Sequence, residues 1–342
     1  MIYWNRYGLK ARHGQFRYTF IQMRILIAGG LGFVGGRLAQ QLYKAGHQVL
    51  LGSRHVSCPP NWLPQAEMAL TEWDNRLSLE KICCGVDVVI QSAGMNAQDC
   101  AANPLAALEM NGLATARLLS AAIRSGVQRF IYLSTAHVYC NPLEGLISEE
   151  TPPTNSHPYA TSHLAGENVV LEANQRVEIE GVVLRLSNVF GYPAHKDVNC
   201  WMLLVNDLCE QVARTRKLVL RSNGLQKRDF VAMADVCSAI EHLSACNIKL
   251  LNSNLINIGS GKSQSVLEIT QLIQQRSLLL FGYKPEIEFP VVSKSEICTN
   301  LEFSTAKMVE LGLSMNNSNL LEIDKLLTFC EALFNKISMA KT

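Results

Sequence analysis

Glycines spaced three residues apart in the run AGGLGFVG (28–35) could bind phosphate groups. An apolar segment, RILIAG, leads into this run and an amphipathic segment follows it, as in a strand-turn-helix unit. Glycine permits a tight turn and close approach of the backbone, and the first N–H groups of the helix have no intrahelical partner. The spacing predicts a site for the pyrophosphate of a dinucleotide. The predicted cofactor residues at this turn are Gly29, Gly32, Phe33, Val34 and Gly35.

Three positions further along bear on which dinucleotide would bind. The second apolar segment, HQVLLGS, ends at Ser53 and is followed by Arg54. An acid there would bind the adenosine ribose of NAD, whereas a cation suits the 2′-phosphate of NADP. The sequence therefore favours NADP(H). NAD(H) is the alternative, because Arg54 could equally be an exposed loop residue. Asp74 is a candidate contact to the adenine end of the dinucleotide, or else a solvated loop acid. Ala93, at the end of a predicted strand, is the remaining residue expected beside the cofactor.

The elements that would position these residues alternate in type from Met23 onward. Strands are predicted at 24–29, 47–53, 86–93, 129–135 and 177–187, and helices at 32–46, at 107–126 and from about Tyr159. Short β-branched runs separated by helices are typical of a parallel sheet with crossover helices. The fold is therefore predicted to be α/β, a doubly wound parallel sheet of the Rossmann type, with ligands at the carboxyl ends of its strands.

The alternation defines two regions. Residues 23–190 are predicted to form the dinucleotide-binding domain, and 191–342 mainly a smaller substrate-binding lobe, with 228–260 returning to the Rossmann body. Residues 1–22 precede the first strand, carry four basic residues and no acid, and lack the apolar run of a secretory signal. We interpret residues 1–22 as an extension outside the folded body. A basic segment that contacts a membrane or a partner is the less favoured interpretation.

Composition narrows the classes of function. With 31 Lys and Arg against 29 Asp and Glu, the formal net charge is +2, and no basic stripe interleaved with aromatic residues suggests nucleic-acid binding. No run reaches the roughly 18 to 20 apolar residues of a membrane span. The 11 cysteines include no Cys-x-x-Cys pair, and neither they nor the 8 histidines show metal-ligand spacing. We expect reduced thiols, no metal, and a cytoplasmic protein that acts on a small molecule.

Several motifs in order along the chain resemble one enzyme family. After the glycine run come LSTAHVY (133–139), YATSH (159–163), RLSNVFG (185–191), RDFV (228–231) and NIGSG (257–261). This series is similar to the extended short-chain dehydrogenase/reductases, the NAD(P)-dependent epimerase/dehydratase family. The similarity extends from Met23 to about Gly312, and it implies an oxidoreductase or epimerase that acts on a nucleotide-linked sugar.

The resemblance implies that Thr135 and Tyr159 are catalytic, with both facing a substrate oxygen near the nicotinamide. A tyrosine can deliver or remove the hydroxyl proton as hydride moves, and a threonine orients the same oxygen. The family usually has lysine four residues after the tyrosine, but this chain has His163, which we include in the catalytic and cofactor sites together with Tyr159. Histidine can donate to a ribose hydroxyl yet activates tyrosine less. Three interpretations of the chain with His163 remain open: a working enzyme with a histidine variant, a slow enzyme with an acidic pH optimum, and a dinucleotide-binding regulator without catalysis.

The same resemblance guides the substrate side. Dehydratases of the family typically have Asp-Glu directly after the catalytic threonine, whereas this chain has Ala136 and His137, so dehydration is not expected. Reductase and epimerase remain, and Arg54 favours the reductase. Thr135, Asn188 and Arg228 match substrate-binding positions, the last two toward the diphosphate; a salt bridge to Asp229 or Asp235 is the alternative for Arg228. A homodimer is the association that the resemblance implies.

Overall fold

The computed structural model describes residues 22–55, 58–246, 254–290, 300–313 and 318–335. The predicted N-terminal extension therefore lies outside the described residues, except for its last residue. No helix in the described part is long and apolar enough to cross a membrane.

A parallel sheet of seven strands forms the centre of the molecule, in the spatial order β11-β7-β5-β4-β1-β2-β3. The fold class is therefore the predicted one. Strand order reverses between β1 and its neighbour β4, which is where ligands bind in doubly wound sheets. The strands of the molecule are β1 Arg24–Ala28, β2 Gln48–Ser53, β3 Glu67–Leu70, β4 Val88–Gln91, β5 Arg129–Thr135, β6 Gly145–Ile147, β7 Glu180–Leu186, β8 Asn188–Phe190, β9 Lys217–Val219, β10 Lys227–Ala232, β11 Leu255–Ile258, β12 Ser263–Ser265, β13 Glu286–Glu288 and β14 Leu301–Phe303.

Helices cover both faces of the sheet, and alternate residues of each strand pack against opposite layers. In β1, Ile25 and Ile27 pack into one core and Leu26 and Ala28 into the other. The α-helices are α1 Phe33–Lys44, α2 Arg76–Cys83, α3 Ala97–Ala102, α4 Pro104–Ala107, α5 Ala114–Arg124, α6 Pro158–Gln175, α7 Leu204–Thr215, α8 Met233–Ala245, α9 Val266–Phe281, α10 Ala306–Glu310 and α11 Asn319–Cys330, with π-helical segments at Leu108–Leu113 and Glu331–Asn335 and a 3-10 turn at Ala136–Val138.

Two elements differ from the prediction. The predicted helix 107–126 is interrupted by the π-helical segment 108–113, and α5 ends at Arg124, shortly before Gly126 with φ +72°. A single π-turn leaves the apolar spacing of a helix almost unchanged, so the sequence pattern does not show it. The four-residue edge strand β3 was not predicted, because EMAL is short and lacks β-branched residues.

The second lobe has its own core, which phenylalanine and leucine side chains of β8, α7, α9 and α11 form. The stretch 228–260 divides between the two regions. β10 joins β8 and β12 in a small separate sheet, whereas α8 packs on α1 and β11 pairs with β7 in the central sheet. A buried ion pair also links the regions, with Arg37 Nη1 2.7 Å from Glu322 Oε1.

Candidate functional site

The glycine turn lies at the point where strand order reverses. Gly29 has φ +80°, and a Cβ on it would be 2.7 Å from the backbone nitrogen of Ala93, so the loops after β1 and β4 pack directly against each other there. α1 begins after Gly32 with no side-chain cap and no acid in its first turn. Its first N–H groups, those of Phe33, Val34 and Gly35, therefore remain available to an anion, and these residues fit a pyrophosphate group.

The residues predicted at the adenosine end are only partly brought together. Ser53 ends β2, its Oγ accepts from the backbone N–H of His55, and Arg54 beside it is exposed. Thr71, directly after β3, pairs through its backbone with Ser53. Asp74 is exposed instead and forms an ion pair with Arg117 of α5. Arg54 is thus exposed where a ligand could reach it, whereas the Asp74 carboxylate is already paired with a side chain of α5.

Thr135 and Tyr159 meet at the carboxyl end of β5. Thr135 is the last residue of that strand and is buried, and Tyr159 stands in the first turn of α6. His157 caps this helix, since its Nδ1 accepts from the backbone N–H of Tyr159. Burial raises the pKa of the Tyr159 hydroxyl, and a hydrogen bond with Thr135 lowers it to a smaller extent. The hydroxyls of Thr135 and Tyr159 therefore lie close to each other.

His163 lies one helical turn after Tyr159 and is 6% exposed. The two rings meet edge to face, with their centroids 4.7 Å apart. Burial lowers the pKa of His163 to about 4, so the ring is neutral near pH 7 and would gain a proton only in strongly acidic solution. The side chain that replaces the lysine of the family therefore supplies no positive charge to Tyr159.

A pocket lined by the turn after β5 contains both predicted diphosphate residues. Its lining is formed by His137, Asn141, Pro142, Leu143, Asn188, Gln226, Lys227 and Arg228. Asn188 donates to the carbonyl of Asp229, and Arg228 donates to Gln226 Oε1. Burial, with a smaller effect of Arg228, lowers the pKa of His137 to about 4, so this imidazole is also neutral. The pocket combines two cationic side chains with uncharged hydrogen-bonding groups.

The two carboxylates considered as partners for Arg228 are bonded to other groups. Asp229 accepts from Ser187 Oγ at 2.6 Å and from the backbone N–H groups of Ser260 and Lys262. Asp235 accepts from Ser318. The glycine-rich loop 259–262 is thus folded around a carboxylate of its own chain.

Several buried residues that support the site were not predicted. Tyr132 and Ser134 lie on one face of β5 and reach His163 and Glu167 of α6, where Ser134 Oγ is 2.5 Å from Glu167. Arg185 of β7 completes this group with two hydrogen bonds to Glu167. A spacing of two residues on a strand and of four on a helix places each pair of side chains on one face of its element. This spacing was the signal in the sequence that could have identified the group.

The buried side-chain amide of Asn111 links two elements of the site. Its Oδ1 accepts from the N–H of Met95 in the loop after β4, and its Nδ2 donates to Ser162 Oγ of α6. The described residues include no group of His, Cys, Asp and Glu that could hold a metal ion, and the ten cysteines among them are free thiols.

The fold combines a seven-stranded doubly wound sheet with an uncapped helix after a glycine turn, and Thr135 and Tyr159 lie at the carboxyl end of β5. This combination is typical of a nucleotide-cofactor enzyme. The chain belongs to the NAD dependent epimerase/dehydratase family, whose family model matches residues 25–259. The resemblance found in the motifs is thereby confirmed.

Named relatives agree with this assignment. The UDP-glucose 4-epimerase of Neisseria meningitidis serogroup C is 27% identical over 292 residues, which cover 76% of this chain and 84% of the relative. A solved structure of an NAD-dependent NDP-hexosamine 5,6-dehydratase, TunA, is 25% identical with a TM-score of 0.72 and covers 92% of this chain and 100% of that one. RMD from Pseudomonas aeruginosa, complexed with NADPH, shares the fold at 23% identity with a TM-score of 0.71, covering 91% and 99% of the two chains.

Proposed function

We propose that this protein is an NADP(H)-dependent enzyme that acts on a nucleotide-linked sugar at one sugar carbon, as a reductase in preference to an epimerase. One observation carries the proposal: Thr135 and Tyr159 lie at the carboxyl end of β5, and His137, from the turn directly after this strand, lines a pocket that also contains Asn188 and Arg228. The Neisseria relative, named a UDP-glucose 4-epimerase, supports a nucleotide sugar as the substrate class.

Each group of residues has a proposed role. The first turn of α1, with Gly29, Gly32, Phe33, Val34, Gly35 and Ala93 around it, would hold the pyrophosphate of the dinucleotide. The nicotinamide supplies the hydride acceptor or donor when bound. Thr135 orients the sugar oxygen, and Tyr159 gives or removes its proton. Asn188 and Arg228 would bind the diphosphate, because an amide and a guanidinium both donate to phosphate oxygens.

The preference for NADP(H) rests on Arg54, which is exposed at the end of β2 beside Ser53. A guanidinium there can form charge-assisted hydrogen bonds with a 2′-phosphate, each contributing about 1.5 to 3 kcal/mol. A reductase draws its hydride from the NADPH pool, so this preference also favours reduction. Asp74 stays a weaker candidate for the adenine end, since it already pairs with Arg117.

Calorimetric titration of NADPH and NADH into wild type and Arg54→Ala tests the cofactor assignment. We expect tighter binding of NADPH by wild type and loss of at least tenfold in that preference in the variant. Arg221→Ala, which changes an arginine with 89% of its side chain exposed in the second lobe, is the matched control and should keep the preference. Equal wild-type affinities for the two cofactors would contradict the assignment.

A second candidate, a dinucleotide-binding regulator without turnover, is favoured by the neutral His163. With a raised pKa and the neutral His163 beside it, Tyr159 is a weak general base near pH 7. Turnover of nucleotide sugars and their 4-keto derivatives decides between the candidates. The enzyme predicts activity that Tyr159→Phe abolishes without loss of cofactor binding, and that His163→Lys raises roughly tenfold near neutral pH. Cofactor binding with no turnover in wild type or His163→Lys would favour the regulator.

We also propose a cytoplasmic homodimer, as the family resemblance implies. Light scattering after gel filtration measures the mass in solution. A mass near 76 kDa, about twice the 37.9 kDa of one chain, is the expected result, and a single-chain mass at micromolar concentration would contradict it.

A further inference from the structure

His163 makes its shortest polar contact with a residue of the strand below it. Nδ1 of the imidazole is 2.9 Å from the phenol oxygen of Tyr132 in β5, and Tyr132 is 1% exposed. The approach depends on Gly166 of α6, because a Cβ at that position would be 2.6 Å from the same phenol oxygen. Any other residue at 166 would displace Tyr132 or the helix, so the glycine creates the space for this contact.

The phenol has one proton, which it can donate to Nδ1 of His163 or to the carbonyl of Asn111. The carbonyl lies at 3.2 Å, within the π-helical segment 108–113, and the Thr115 hydroxyl is a further hydrogen-bonding neighbour of the phenol. The carbonyl of Asn111 already accepts from Thr115 Oγ1 at 2.8 Å. The contact to Nδ1 is shorter and Nδ1 has no second donor among the described residues, so the proton is better placed toward His163.

A second part of the ring lies near the carboxyl end of the sheet. Cε1, which lies between Nδ1 and Nε2, is 3.9 Å from the position that a Cβ on Gly94 would take, in the loop after β4. Gly94 directly follows Ala93, which packs on Gly29 of the glycine turn. Since Nδ1 contacts Tyr132, Nε2 is the ring nitrogen that would bind a ligand at these loops.

We propose that Tyr132 is a positioning residue, whose phenol donates to Nδ1 of His163 and so holds the imidazole in the tautomer that carries its proton on Nε2. In that tautomer an uncharged ring presents one N–H donor to a ribose hydroxyl of the bound dinucleotide, in place of the lysine ammonium of related chains. Tyr132, Gly166 and His163 then act as one unit. The inference rests on the proposed function only for the identity of the ligand.

The tautomer is measured by two-bond ¹H–¹⁵N correlation spectra of protein labelled with ¹⁵N-histidine, without cofactor. Wild type should show His163 as a single Nε2–H form at pH 7. Tyr132→Phe, which keeps the ring and removes only the hydroxyl, should move the Nδ1 shift toward that of a nitrogen without a donor or give a mixture of tautomers. Tyr139→Phe is the matched control, since that buried phenol donates to Asn257 Oδ1, and it should leave the His163 signals in place. An Nδ1–H form in wild type, or unchanged shifts in Tyr132→Phe, would overturn the proposal.

Cofactor affinity gives a second readout. Tyr132→Phe should weaken NADPH binding about threefold to tenfold, the range expected for one hydrogen bond. In a His163→Lys background the same change should have less than a twofold effect, because an ammonium has no tautomer to fix. Equal losses in both backgrounds would show that Tyr132 only supports the fold and would refute its positioning role. The spectra require no substrate, so the absence of turnover would count against the proposed enzyme and leave this result intact.

Discussion

Acidification from pH 7 to pH 5 should destabilise the protein through His163. The pKa of this residue is about 4 in the fold, against 6.5 for an exposed histidine, because burial disfavours the charged ring. A lowered pKa means that the unfolded chain takes up a proton first as the pH falls. The contribution to stability is therefore complete above pH 6.5 and is lost progressively toward pH 4.

The size of this destabilisation follows from the difference in bound protons between the unfolded and the folded chain. At pH 5 the unfolded chain lies about 1.5 pH units below the ordinary pKa of histidine while the folded ring is still mostly neutral, which corresponds to about 2 kcal/mol. Urea unfolding of wild type and His163→Gln at both pH values measures it. The variant and wild type will differ in their free energy of unfolding at pH 7. Between pH 7 and pH 5 this difference should change by about 2 kcal/mol in favour of the variant, because only wild type loses the contribution of His163.

His55→Gln, at an exposed position, is the matched control and should leave the pH dependence of the free energy of unfolding unchanged. Parallel pH dependences for wild type and His163→Gln would refute the reasoning. Such a result would mean that His163 is equally easy to protonate in the folded and unfolded chains, and the argument for a neutral imidazole beside Tyr159 would fail with it.

Three further substitutions test the packing around the site. Glu322→Gln leaves the buried Arg37 without its counter-charge and should lower the free energy of unfolding by about 3 to 5 kcal/mol in urea titrations; a loss below 1 kcal/mol would contradict a desolvated pair. Gly166→Ala forces a Cβ against Tyr132 and should lower the thermal midpoint and cost about 1 to 3 kcal/mol, whereas an unchanged midpoint would show that α6 yields easily. Asp229→Asn exchanges an acceptor for a donor among four N–H and O–H groups, so hydrogen exchange in the loop 259–262 should accelerate, and unchanged protection there would argue against the carboxylate as its anchor.

The sequence alone determined the type of fold and the position of the glycine turn between β1 and α1. Apolar runs that are buried on both faces, such as RILIA of β1, must lie inside a parallel sheet, and the glycines at its end fit only a tight turn. These features are local or repeat with a fixed period, so the sequence shows them without knowledge of the packing. The pairing of Thr135 with Tyr159 was expected only from the family resemblance that the ordered motifs carry.

What the tertiary structure decided depends on contacts between distant positions. The sequence indicated that His163 replaces a lysine, but its loss of charge follows from burial against Tyr132 of another element. Arg37 meets Glu322, 285 positions later, and Asp74 pairs with Arg117 instead of remaining a free loop acid. No periodicity encodes such pairs, because they depend on how helices and strands pack after they have formed. The protonation state of the site is therefore a property of the packed interior, which sets the desolvation and the hydrogen-bond partners of each ionisable group.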